Sequence, residues 1–115
     1  MIFNLEKKGL KTVLKPYQAD IMRYIWEMGE TDSRHAHEHL QETDNGMSRA
    51  SVIFFLNDMV DEGFLTFREE TGKGGYHRIW IPAPDVKCER DFKETVARRI
   101  LEKLRSDFGV EAEVL

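Results

Sequence analysis

Between Ser48 and Asn57 the sequence concentrates side chains suited to reading the edges of nucleic-acid bases. If a helix starts after Ser48, its outward face carries Arg49, Ala50, Ile53, Phe54 and Asn57. An arginine can pair bidentately with guanine and an asparagine with adenine, while Ala50 or Ile53 can touch a thymine methyl. Ser48 and Ser51 add hydroxyls able to bond phosphate. Further on, Lys73 lies in the glycine-rich run Thr71-Gly72-Lys73-Gly74-Gly75, flanked by Arg68, His77 and Arg78. These cations are expected to rest against a phosphate backbone or enter a minor groove, since glycine permits close backbone approach. Lys11, Lys15 and Arg34 are further candidates for phosphate contacts. Two features pull the other way. Ile53 and Phe54 put adjacent apolar groups on an exposed face, and Asp58, Asp61 and Glu62 follow on a helix that would approach phosphates. Side-by-side apolar residues on a surface more often mark a protein partner or a covering segment.

A second group is histidine-rich. His35, His37 and His39 alternate, so that His35 and His39 share a helix face at i, i+4, a spacing that can place two imidazoles on one metal. A zinc site draws further ligands from the protein, however, and the single thiol, Cys88, is distant in sequence. The expectation is an exposed helix with no metal and no other cofactor. A lone cysteine also excludes an intrachain disulfide. No nucleophile elbow, zincin motif or other catalytic signature occurs, so the chain is not expected to be an enzyme. The glycine-rich run lacks the strand-to-helix setting and the Lys-Ser/Thr ending of a nucleotide-binding loop.

Composition bounds these readings. The length suits one domain with an appended element, and 41% apolar with 33% charged residues suits a soluble globular chain. A net charge of −4 argues against coating nucleic acid by bulk positive charge, so any such contact must use local patches. No apolar run reaches membrane-spanning length and the N-terminus lacks the order of a signal peptide, so a cytoplasmic location is expected, with neither a membrane nor an identifiable small molecule as partner.

The elements that must position these groups follow from periodicity. Ile2 to Val13 forms an N-terminal arm or a short hairpin turning at Lys7-Lys8-Gly9. Pro16 opens a helix in which Ile21, Met22, Ile25, Trp26 and Met28 recur until Gly29. Thr31, Asp32 and Ser33 offer caps for a shorter helix with a narrow stripe at Ala36 and Leu40. Ser48 caps a third, whose Val52, Phe55, Leu56 and Met59 turn one face to the core before Gly63. Phe64 to Arg68 and Tyr76 to Ile81 read as strands joined at a flexible Thr71–Gly75 tip. A last helix, from about Asp91 to Phe108, carries the broad stripe Phe92, Val96, Ala97, Ile100, Leu101, Leu104 and Phe108. A stripe that wide exceeds what a three-helix core can cover, so Phe92, Val96, Ile100, Leu101, Leu104 and Phe108 are expected to pair two copies about a twofold axis.

On Leu14, Pro16, Met22, Ile25 and Trp26, then Ser48, Gly63-Phe64 and Tyr76, the chain resembles the penicillinase-repressor family of winged-helix regulators. The resemblance implies a mainly α, α+β fold: a winged helix-turn-helix of three helices and a two-stranded wing, with a C-terminal dimerisation helix. It also implies a homodimeric repressor of transcription that binds double-stranded DNA. The expected organisation is an arm over 1–13, a DNA-binding domain over 14–82 and a dimerisation segment over 83–115. The rival expectation is a winged-helix protein-interaction module that uses the apolar patch at Ile53 and Phe54.

Overall fold

The computed structural model describes residues 13–72 and 75–109. Its elements run α1 (Pro16–Met28), α2 (Ser33–Gln41), α3 (Arg49–Asp61), β1 (Leu65–Gly72), β2 (Gly75–Pro82) and α4 (Glu89–Phe108). This order, with its antiparallel hairpin, is a winged helix-turn-helix, mainly helical α+β as expected. The N-terminal arm or hairpin, Lys11 and Lys73 lie outside the described residues.

Local signals place the first three helices. Pro16 occupies the first turn of α1, where its missing N–H has no intrahelical partner to lose. Gly29 ends α1 at φ 86° and Gly63 follows α3 at φ 84°, left-handed conformations that a side chain would strain. At α2 the Asp32 carboxylate accepts from the His35 N–H and from its ring Nδ1, each at 2.7 Å. At α3 the Ser48 hydroxyl accepts from the Ser51 N–H at 3.2 Å. Both caps satisfy N–H groups that a helix start would leave orphaned.

Burial on Asp32 opposes its charge, but the hydrogen bonds from His35 and the nearby positive charges outweigh it and hold the carboxyl below its ordinary value of 3.8. A depressed folded value adds stability above that pH, and the gain is lost as pH falls through the lowered value. Asp32→Ala is expected to cost about 1 kcal/mol at neutral pH, the usual scale for a lost cap. Urea unfolding of variant and parent should show that gap near pH 7 and its closure in strong acid.

The core is formed by Ala19, Ile21, Met22 and Ile25 of α1, Ala36 and Leu40 of α2, and Val52, Phe55, Leu56 and Met59 of α3. The four α3 positions are those the spacing predicts. Phe64 departs from its predicted strand: it sits in the turn before β1, fully buried, donating its N–H to the Met59 carbonyl. There it meets Phe92 of α4 at 4.6 Å between ring centres, and Trp26 of α1 meets the same ring at 5.8 Å.

This contact corrects the expectation for the last helix. Phe92 is 0% and Val96 6% exposed, so both belong to the chain's own core and offer no surface to a second copy. Beyond them Ile100 and Leu101 are half-buried, Leu104 is 38% exposed and Phe108 71%. The inner turns of α4 thus anchor the helix, and the outer turns leave the apolar stripe open.

The hairpin is longer than the hydrophobic pattern predicts. Pairing runs from Leu65↔Pro82 to Gly72↔Gly75, well past the apolar residues. Where burial stops, the ladder continues with Glu69 across from Arg78, an opposite-charge pair, and with Glu70 across from His77. At the root, Thr31 and Trp80 exchange both backbone hydrogen bonds, at 3.0 and 2.7 Å, and join the loop before α2 to β2.

Candidate nucleic-acid interface

Because Val52, Phe55, Leu56 and Met59 face inward, Ala50, Phe54 and Asn57 stand on the opposite face of α3, one helical repeat apart. Phe54 is 75% exposed at the centre of that face, with half-buried Ile53 beside it. The apolar pair is therefore accessible, and toward the far end of the helix Asp58 and Asp61 are exposed and Glu62 is half-buried.

At the near end, Arg49 donates from Nε and Nη2 to the Ser33 hydroxyl at 3.2 and 3.0 Å. This tie brings the starts of α2 and α3 together at the mouth of an open cleft of about 420 Å³. Asp32, Ser33, Arg34, Arg49, Gly75, Tyr76 and His77 line it, so both helix starts and the base of the hairpin tip converge there. Helix N-termini carry partial positive charge and point free N–H groups outward, which suits an anion. Arg34, bound to Glu38 only loosely at 3.9 Å, keeps a 64% exposed side chain for the same purpose.

The other predicted contacts divide. Ser48 is occupied as the cap and also donates to the Ser51 hydroxyl at 3.0 Å, so it sets the start of α3, whereas half-buried Ser51 retains its own hydroxyl proton. Arg68 is clasped by Glu30 at 3.1 and 2.9 Å and by Glu70 at 3.0 Å. The hydrogen bonds with Glu30 and then Glu70 raise the Arg68 pKa, and the same Arg68 bond lowers that of Glu30. Arg68 is thus a neutralised strut between the hairpin and the end of α1, and no longer a free cation for phosphate. Arg78 lies over the Phe67 ring at 4.1 Å and donates to the Asn57 Oδ1 at 3.0 Å. That bond uses the Asn57 Oδ1 and leaves its NH2 group for another partner. His77 lines the cleft, 3.9 Å from Glu70.

Sequence reasoning overlooked Ser33 as the partner of Arg49 and Tyr76 as a site residue. Tyr76 is 79% exposed on the cleft wall, and its place beside the glycine run was the available signal.

The histidines take separate partners. His35 bonds Asp32, His37 Nε2 lies 3.1 Å from Gln41 Nε2, and the His39 ring stacks on Tyr24 at 4.4 Å. Among the described residues no group of three or more His, Cys, Asp or Glu is arranged to hold a metal ion. No helix among them is long and apolar enough to cross a membrane.

A family model described as penicillinase repressor matches residues 14–108. Among solved structures, a Thermoplasma acidophilum protein described as a candidate transcriptional regulator superposes with a TM-score of 0.52 at 20% identity. The match covers 77% of this chain and 93% of that one, and at such identity it speaks to the fold. Comparison with curated proteins gives no match.

Proposed function

This chain belongs to the penicillinase repressor family, and from that membership we propose that it is a homodimeric, DNA-binding transcriptional repressor acting in the cytoplasm. α3 would lie in the major groove of a palindromic operator and the hairpin would hold the adjoining backbone. The observation that carries this reading is the convergence of the α2 and α3 starts, Arg34, Arg49 and the base of the hairpin tip on one cleft beside the outward face of α3. In this proposal Arg49 leaves Ser33 for guanine or phosphate, while Arg34 and Ser51 hold the backbone. Among the described hairpin cations, Arg68 and Arg78 are engaged by Glu30, Glu70 and Asn57 and would add little to the salt dependence, because each phosphate that is neutralised contributes about one unit of slope.

The test is selection from random duplexes by the purified chain, followed by affinity measurements on the enriched site. Arg49→Ala should weaken that site by about 5- to 150-fold if Arg49 makes a bidentate base contact, with nonspecific binding much less affected. Unchanged affinity would remove Arg49 from the reading set.

The exposure of Phe54 favours a second reading, a protein-interaction module in which Ile53 and Phe54 anchor a partner. That reading predicts no enriched duplex, and loss of a protein complex in an Ile53→Asp, Phe54→Asp variant.

A further inference from the structure

The outward face of α3 has a phenyl ring at its centre. Phe54 lies one turn after Ala50 and one turn before Asn57, and it is 75% exposed. Arg78 holds the Asn57 carbonyl oxygen, so beside the ring stands an amide NH2 that can only donate. Ala50, at the start of this face, follows Arg49, which with Ser33 lines the cleft where the helix starts and cations suit a phosphate backbone. The centre of the reading face is therefore apolar, and its surroundings suit a nucleic acid.

The major-groove edges of the base pairs offer one apolar group, the 5-methyl of thymine, along with polar donors and acceptors. Against a phenyl ring, the amino group of cytosine or the oxygen and nitrogen of guanine would lose water and gain no hydrogen bond. A methyl in the same place loses nothing and has its apolar surface covered. We infer that Phe54 is the specificity-determining residue at the centre of each half-site, where it selects a 5-methylpyrimidine by apolar contact. The inference rests on the DNA-reading function proposed above and adds the chemical group that is recognised. Asn57 then serves the neighbouring position, where its NH2 donates to an acceptor such as a purine N7 or thymine O4.

The test uses the full chain and a duplex that the chain itself has enriched from a random library. Each thymine is replaced in turn by deoxyuridine, which removes the methyl and keeps every hydrogen-bonding group. One symmetric pair of positions is expected to weaken binding by about fourfold per half-site, the scale of one buried methyl. Replacing both should weaken it by about fifteenfold, the product of the two. At the same position a 5-methylcytosine pair should bind better than a cytosine pair, which separates the methyl from the rest of thymine. Phe54→Ala, with thermal melting to show an intact fold, should bind thymine and uracil duplexes equally, and Phe54→Leu should restore part of the preference. A scan flat to within twofold, or the same uracil penalty in Phe54→Ala, would overturn the inference while leaving DNA reading in place. Failure to enrich any duplex would overturn both.

Discussion

Phe92→Ala is expected to destabilise the folded chain by about 3–5 kcal/mol, the range for removing a buried aromatic ring. Phe92 is fully buried between Phe64 and Trp26, and it joins α4 to the turn after α3 and to α1. The alanine would leave a cavity bounded by two large rings that cannot collapse around it. A loss of that size is a large part of the roughly 5–15 kcal/mol that stabilises a typical domain. The urea midpoint should fall sharply, and the melting temperature should drop by more than about 10 °C for a chain of this size. A shift no larger than that of an exposed substitution would mean that α4 is not anchored through this ring. Phe92→Leu, which fills much of the space, should recover most of the loss.

Leu104→Asp combined with Phe108→Asp is expected to act on association and leave folding nearly untouched. These side chains are 38% and 71% exposed on the outer turns of α4, so charging them removes little from the monomer core. In the proposed dimer they lie at the subunit contact, where two buried carboxylates would be costly. Sedimentation should show the parent as a dimer and the variant as a monomer, with matching circular dichroism. Operator affinity should then fall by about 10²–10⁴, because the second half-site would no longer be bound intramolecularly. A variant that remains dimeric would move the contact elsewhere.

Val52, Phe55, Leu56 and Met59 were legible because a helix packed on one side must repeat its apolar residues every three to four positions. The cap at Ser48 was legible for a similar reason, from its residue type and its position before the stripe, whereas Asp32 was one of three candidates with Thr31 and Ser33. Phe92 and Val96 were readable as apolar but not as belonging to this core, since periodicity gives the direction of a face and says nothing of what meets it. Only the approach of Phe64 and Trp26 decides that. The cations behaved alike. Arg68 and Glu30 are 38 residues apart, and Arg78 and Asn57 are 21 apart, so local spacing carried no sign of these partners, although Glu70 shares a strand face with Arg68 two residues on. The hairpin exceeded its predicted length because the backbone ladder continues through polar pairs such as Glu69 and Arg78, which carry no alternating apolar pattern.

The two hydrogen bonds between Thr31 and Trp80 give the hairpin an extra rung at its base, from a third segment of chain. A two-stranded hairpin alone is marginal in water, so this rung and the buried Leu65 and Trp80 carry its stability at the root. Beyond Leu65, β1 is exposed from Thr66 to Gly72 and contributes little to the core. Descendants of this chain could therefore lengthen, shorten or recharge the hairpin beyond Glu69 without moving α3, which leaves evolution a dial for backbone affinity that turns independently of the one for base preference.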